Sequence, residues 1–271
     1  MGVGNQGTDL NPVYTSPRGH PLGSNPTWKF GAGLLIPLLK LISKEEWRGI
    51  ENIPQSGAMI AISNHISYLD PLIFAHFLYG NGRAVRFLGK ASLFKVPVVG
   101  WVLRHAEQVP VDREVKGAGI IALPHAIAFL EAGHCLGVYP EGTLTREENL
   151  WPMKGKTGLA RLAVMTKVPV IPCAQWGAAK ILPPYSKYPK LWPRTRVIVI
   201  AGKPLDFSRW YGMEADHEAM VAATDYAMAA VTSLLEGLRG EAAPAKIFDP
   251  HQSDLPRIGN FKKRKSKLWR A

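Results

Sequence analysis

Short apolar runs bounded by turn residues, alternating with segments of helical period, predict an α/β fold with a single mixed, largely parallel sheet flanked by helices. The runs "GAMIAIS" (57–63), "CLGVYPEGT" (135–143) and "VPVIPCAQW" (168–176) read as buried strands. Between and after them, "PLIFAHFLYG" (71–80) and "DHEAMVAATDYAMAAVTSLLEGLRG" (216–240) carry apolar positions at helical spacing and stop at glycine. A third observation is the lack of an internal repeat: "VPVV", "VPVD" and "VPVI" recur only at unequal intervals.

The elements follow in order. Residues 1–27, rich in Gly, Asn, Pro and Ser, read as an extended or mobile arm. Residues 28–48 form an amphipathic helical segment containing "WKFGAGLLIPLLKLI". That stretch falls short of the roughly 20 apolar residues a bilayer crossing needs. It starts too late for a signal peptide and lacks a small-residue cleavage site. It is either a core helix kinked at Pro37 or a membrane-associating helix with Trp28 and its lysines at headgroup level. Residues 49–245 form the α/β domain. Within it, "AVRFLGK" (84–90) and "EQVPVDR" (107–113) are expected strands and "VVGWVLRHA" (98–106) a short helix. "KGAGIIALPHAIAFLEAGH" (116–134) is helical and kinked at Pro124, "KTGLARLAVMTK" (156–167) is helical, and "RVIVIAGKPLDF" (196–207) is the last strand. Residues 246–271 are a basic tail.

The chain has 271 residues, 33 Lys and Arg against 21 Asp and Glu, and a net charge of +12. Such a surplus points to an anionic partner: nucleic acid, an acidic membrane surface or phosphorylated substrates. Six of the basic residues lie in "KKRKSKLWR" (262–270) without an acidic one, so this segment is either a solvated end or a contact with anions. A nucleic-acid role lacks aromatic interleaving, helix-turn-helix and zinc spacing. The two cysteines, Cys135 and Cys173, form neither a disulfide framework nor a metal set, which suits a reducing compartment. His134 and Cys135 are strand neighbours on opposite faces, so they make a poor thiol–imidazole dyad.

The chemistry concentrates in "AISNHISYLDPLIF" (61–74), where His65 leaves a buried strand and Asp70 precedes Pro71. Asp70 fits a helix N-cap. It also fits a carboxylate folded back onto the imidazole, fixing its tautomer and leaving Nε2 free to take a proton. Both roles can hold at once. No "GxSxG" elbow supplies a protein nucleophile, so the hydroxyl activated is more naturally the substrate's own. A metal-dependent hydrolase would need further ligands beside this pair.

"NHISYLD" resembles the histidine-x4-aspartate motif of the glycerolipid acyltransferases. "LFKVPVVGWVLRHAEQVPVDR" resembles the family's second block, ending at Arg113; "VYPEGT" the third, with Glu141, Gly142 and Thr143; and "VPVIP" the fourth. The ordered set covers roughly residues 50–205 and is most similar to 1-acyl-sn-glycerol-3-phosphate acyltransferases. The resemblance implies transfer of a fatty acyl group from acyl-CoA or acyl carrier protein, as co-substrate and without a cofactor or metal. The acceptor it implies is the sn-2 hydroxyl of 1-acylglycerol-3-phosphate, giving phosphatidic acid for phospholipid biosynthesis. It makes His65 the general base and Asp70 its orienting partner, with Arg113 and residues 141–143 binding phosphate. Leu144 stands where the third block commonly has arginine; Arg146, Lys154 or Lys156 could replace that donor, Lys156 best because it opens a helix. Leu144 also leaves open another lysophospholipid or glycerol-3-phosphate as acceptor. A basic membrane-binding relative without catalysis is the remaining alternative. The expected site of action is the cytoplasmic face of a membrane, peripheral or monotopic.

Deleting residues 262–271 is expected to weaken binding to anionic vesicles in a salt-sensitive way, by about 1 kcal/mol for each basic residue held near the surface. Vesicle co-sedimentation at two ionic strengths measures it, and unchanged binding refutes a membrane role for the tail.

Overall fold

The computed structural model describes residues 21–111 and 118–253. Along the chain run α1 (Pro26–Ile42), β1 (Ser43–Arg48), β2 (Met59–Ile62), α2 (Asp70–Gly80), β3 (Val85–Lys90) and α3 (Pro97–His105). They are followed by β4 (Val109–Val111), α4 (Ala118–Glu131), β5 (Cys135–Val138), α5 (Gly158–Thr166) and β6 (Val170–Trp176). The single-turn α6 (Ala178–Ile181), β7 (Thr195–Ala201) and α7 (His217–Arg239) complete the order. The seven strands form one sheet, β1-β7-β6-β2-β5-β3-β4. Every neighbouring pair is parallel except β6 with β7, so the sheet is mixed and largely parallel, as expected.

β2 lies at the centre with all four residues buried. Ile60 and Ile62 face a core shared with Leu130 of α4, Leu162 of α5 and Val231 of α7. Met59 and Ala61 face the opposite core, with Leu39 of α1, Phe74 and Phe77 of α2, and Ile181 of α6. The two-residue period of a strand thus feeds both layers at once, which is why the run reads as continuously apolar. Each large side chain so buried contributes about 1.5–3 kcal/mol. The long α7 is capped by Asp216, whose carboxylate accepts from the amides of Glu218 and Ala219 at 2.9 and 3.1 Å, and it ends at Gly240 with φ 71°.

Three expectations need correction. The helical segment does not reach residue 48: α1 ends at Ile42, and residues 43–48 form the edge strand β1. Pairing with β7 overrides the helix propensity of "SKEEWR", because Ser43 is buried, its Oγ donates to the Leu39 carbonyl, and Arg194 donates to its own carbonyl at 2.8 Å. The charged side chains then suit a sheet edge. Residues 21–25 are not part of a free arm. Leu22 exchanges backbone hydrogen bonds with Gly82 and Ala84, and the buried Arg86 donates to the Gly23 carbonyl at 2.7 Å. Nor is the start of the tail free, since Phe248 bridges Met153 and accepts from the Lys154 amide at 2.9 Å. The rest of the arm, residues 1–20, and the run 262–270 lie outside the described residues.

Gly49, which follows β1, has φ 65°, and a Cβ placed on it would lie 1.9 Å from the Ala201 carbonyl oxygen. Gly49→Ala is therefore expected to cost the left-handed penalty of about 1–2 kcal/mol plus a backbone displacement at β7. Thermal unfolding should show a drop of several degrees, and an unchanged midpoint would contradict this packing.

Candidate active site

Parallel neighbours place their carboxyl ends side by side, and in open α/β sheets that edge is where ligands bind. β2 delivers Asn64 and His65 there, β5 delivers Tyr139 and Glu141, and β6 delivers Gln175. Asn64 locks the edge together: its amide donates to the Gln175 carbonyl at 3.0 Å, and its Oδ1 accepts the Gln175 amide at 2.9 Å. Gly137 of β5 makes room for the site's wall, since a Cβ there would lie 2.4 Å from the Phe87 ring.

The loop from His65 then turns back on itself. Asp70 Oδ2 lies 3.0 Å from His65 Nδ1 and accepts the amides of Ile66 at 2.5 Å and Ser67 at 2.7 Å. The expected N-cap role does not hold. Asp70 is the first helical residue, Leu69 occupies the cap position without a side-chain bond, and the carboxylate faces backward to the loop. Pro71 does sit in the first turn, where no amide hydrogen is needed. Asp70 is fully buried, and burial raises its pKa against the pull of His65 and the two amides. His65 is 9% exposed and stacks on Tyr139, with centroids 4.2 Å apart at 22°. With Nδ1 engaged by the carboxylate, Nε2 is the nitrogen left for a substrate proton.

Glu141, expected among phosphate ligands, is placed otherwise. Its Oε1 accepts the His65 amide at 2.9 Å and its Oε2 the Met153 amide at 3.1 Å. The His65 carbonyl in turn accepts the Thr145 amide at 2.7 Å. Bonded in this way, the carboxyl group clamps the histidine's backbone and has both oxygens committed to amides. Burial pushes Glu141 up to about 8, with Asp70 adding to the rise and the two amides opposing it.

Glu141, Gly142, Thr143 and Lys156 all line one cavity, of about 1130 Å³, that also takes in His65. Gly142 has φ 71°, and a Cβ there would lie 2.9 Å from Lys156 Nζ, so the ammonium reaches across the loop. Lys154 lines the same cavity. Arg146 is buried beside Tyr185, and its charge opposes the rise in that phenol's pKa; it is not among the cavity's lining residues. Leu144 is buried, with its carbonyl accepting from the Tyr185 hydroxyl at 3.2 Å. Arg113 lies outside the described residues. Away from the polar end the cavity runs between α1, α2 and α3, where Leu35, Leu72 and Leu103 line it. Trp28 and Tyr79, stacked 5.7 Å apart, also line it near the far end of α2. Tyr79 is nine residues from Asp70, roughly 14 Å along the helix.

Sequence reasoning missed Tyr139, Asn64, Gln175 and Met153. The first two adjoin motif residues and could have been flagged by position. Gln175 and the Met153 amide join through tertiary contacts that leave no local pattern. Among the described residues there is no group of three or more His, Cys, Asp or Glu that could hold a metal ion. Both cysteines are buried, and burial pushes the Cys135 thiol up to about 11, which makes it inert as a nucleophile.

The chain is similar to known acyltransferases in sequence and in fold. Residues 44–176 match the family model described as Acyltransferase. A chloroplastic 1-acyl-sn-glycerol-3-phosphate acyltransferase of Brassica napus is 31% identical over 174 residues, which is 64% of this chain and 47% of that protein. The 1-acyl-sn-glycerol-3-phosphate acyltransferase of Bacillus subtilis is 27% identical over 178 residues, 66% of this chain and 82% of that protein. The chain thus spans under half the length of the plant relative and most of the bacterial one. The crystal structure of the 1-acyl-sn-glycerophosphate acyltransferase PlsC from Thermotoga maritima superposes with a TM-score of 0.62 at 25% identity, covering 80% of this chain and 81% of that one.

The Glu141 clamp has a measurable signature. The folded state holds this proton more tightly than the unfolded chain, where the carboxyl has a pKa near 4.5. Its contribution to stability is full below about pH 4.5 and is lost as pH rises through about 8. Glu141→Gln removes that titration, and its amide NH₂ must face one of the two backbone donors, costing about 1–3 kcal/mol. Urea unfolding should show the wild-type advantage shrinking from pH 5 to pH 8. A constant or growing gap contradicts the assignment.

Proposed function

We propose that this chain, whose residues 44–176 match the acyltransferase family model, moves a fatty acyl group from a thioester to the free hydroxyl of a lysophospholipid, with lysophosphatidate first among acceptors. The observation that carries the reading is the His65–Asp70 pair, bonded at 3.0 Å, beside a cavity with Lys156 at its polar end and an apolar arm away from it. His65 Nε2 takes the proton from the acceptor hydroxyl as its oxygen attacks the thioester carbonyl carbon. The carbon–sulfur bond of the tetrahedral intermediate then breaks, and the imidazolium returns the proton to the departing thiolate. Asp70 holds the tautomer throughout and favours the transient imidazolium, as the carboxylate of a serine hydrolase triad does. General base catalysis supplies about 10²- to 10⁴-fold. Holding hydroxyl and thioester together, and donors facing the oxyanion, supply the remainder.

Lys156 is the candidate for the acceptor's phosphate, with Thr143 on the same cavity wall, and Arg113 is proposed as a further donor on the family pattern; the Gly142 amide is itself committed to the Tyr139 carbonyl at 2.9 Å. Arg146 is proposed only as support for the loop, since it is buried away from the cavity. The apolar arm between α1, α2 and α3 fits an acyl chain, and the Trp28–Tyr79 pair is suited to limit its length. Acyl-CoA and acyl carrier protein both suit the basic surface, and neither requires a cofactor. Among the described residues no helix is long and apolar enough to cross a membrane. α1 nonetheless presents Phe30, Leu34, Leu38 and Leu41 outward at helical spacing. This supports a monotopic or peripheral position, with that face in the lipid on the cytoplasmic side. Leu144, in place of the block's arginine, is the observation that favours testing other lysophospholipids and glycerol-3-phosphate beside lysophosphatidate.

The purified protein is expected to release free CoA from long-chain acyl-CoA only when such an acceptor is added. His65→Ala should abolish release without unfolding the protein, and Asp70→Asn should lower it by about 10²- to 10⁴-fold. Persistent turnover in the folded His65→Ala protein would falsify the general-base assignment.

A further inference from the structure

Between α6 and β7 the chain forms an exposed loop, "LPPYSKYPKLWPR" (182–194). Three large apolar side chains fall within five residues of it: Tyr188 is 83% exposed, Trp192 84%, and Leu191 half-exposed. Lys187, Lys190 and Arg194 are interleaved with them, and Lys187 and Lys190 enter no ion pair among the described residues. From Asn149 to Leu205 the sequence has ten Lys and Arg and not one Asp or Glu. Aromatic rings alternating with lysines suit the boundary between headgroups and acyl chains, where the rings bury their bodies and the ammonium groups meet phosphates.

The loop is held in shape. The Lys190 amide donates to the Ile181 carbonyl at 2.7 Å, and the Ser186 amide to the Pro183 carbonyl at 3.0 Å. Its place is set by the sheet, for Thr195, three residues after Trp192, pairs with Ser43, the residue that follows α1. Arg194 bonds the Ser43 carbonyl. The outward stripe of α1 ends at Leu41, two residues before Ser43, so the end of the loop lies near the C-terminal end of that stripe. Its root also reaches the active site: Ser67 Oγ donates to the Leu182 carbonyl at 2.7 Å, and Tyr185 to that of Leu144.

We infer that residues 187–192 are a second contact with an anionic bilayer surface, separate from α1. Tyr188, Leu191 and Trp192 enter the interfacial zone while Lys187 and Lys190 rest on lipid phosphates. Nearness to the exposed apolar stripe of α1 and the alternation of rings with lysines favour a bilayer over a protein partner, and the acid-free stretch favours an anionic one. Through Ser67 and Tyr185 the contact sets the His65 loop against the surface from which a lysolipid would enter. This part rests on the acyltransfer reading above; the lipid contact itself does not.

The test uses the full chain with Tyr188→Ser, Leu191→Ser and Trp192→Ser combined, and separately with Lys187→Gln and Lys190→Gln combined. On phosphatidylcholine vesicles containing one third phosphatidylglycerol, the first variant should partition at least tenfold more weakly. The second should lose about fivefold for each lysine, a loss absent on pure phosphatidylcholine. The first variant should keep wild-type turnover of a short-chain lysophosphatidate dissolved as monomer, and lose turnover of a long-chain one embedded in vesicles. If the wild type turns over neither, the acyltransfer reading fails while the partition arm still decides the contact. Equal partitioning of wild type and the first variant overturns the inference. So does a wild-type oligomer that the variant dissolves, which would make the loop a protein interface.

Discussion

One carboxylate oxygen organises the site. Asp70 Oδ2 receives the imidazole of His65 and the amides of Ile66 and Ser67, so a single buried atom fixes a ring orientation and the backbone that carries it. The geometry follows from burial. With no surface exposed to solvent, an unbonded carboxylate would be several kcal/mol too costly to keep charged, and the loop closes around it because it supplies the donors. The five-residue separation that is wrong for a helix face is right for this turn. Glu141 repeats the device from the other side, tying the His65 amide to that of Met153, so the histidine is held both through its ring and through its backbone.

Much of this was legible, and what was not has physical causes. The strands at 59–62, 135–138 and 170–176 were readable because strands buried on both faces must be apolar at every position. α2 and α7 were readable from period and terminators. β1 was not, because "SKEEWR" is charged and locally helix-prone; only its pairing with β7 makes it a strand. The reversal of β7 relative to β6 is likewise a property of pairing, which local pattern does not encode. At the site, the His65–Asp70 pairing was foreseeable because the turn is local. The role of Glu141 was not, because the same residue type serves equally as a ligand neighbour or a backbone clamp, and the choice depends on a partner 76 positions away.

The molecule's two chemical biases meet at that site. The outward stripe of α1 and the exposed rings of 188–192 are apolar where water would penalise them, whereas the stretch 149–205 that carries the loop has no acid. A lysolipid has the same division, a hydrocarbon chain and an anionic head. The cavity mirrors it, with leucines and stacked rings between α1, α2 and α3, and Lys154 and Lys156 at the other end. Neither bias alone selects a lipid: apolar grooves bind many ligands, and basic surfaces bind many anions. Here both line one cavity beside His65.

Gly142 shows how closely that junction is drawn. Its φ of 71° is one reason for glycine, and the second is space: a Cβ would stand 2.9 Å from Lys156 Nζ. Any side chain there would displace the ammonium from the loop that follows Glu141. The cationic end of the cavity and the clamp on His65 therefore share one turn of backbone, and a change that moves the charge also moves the base. Leu144 itself is buried, and Lys156, two residues before α5, is the cation that reaches this turn. Such a lysine is a mobile point charge rather than a planar fork, so it binds an anion with less geometric selection than a guanidinium does.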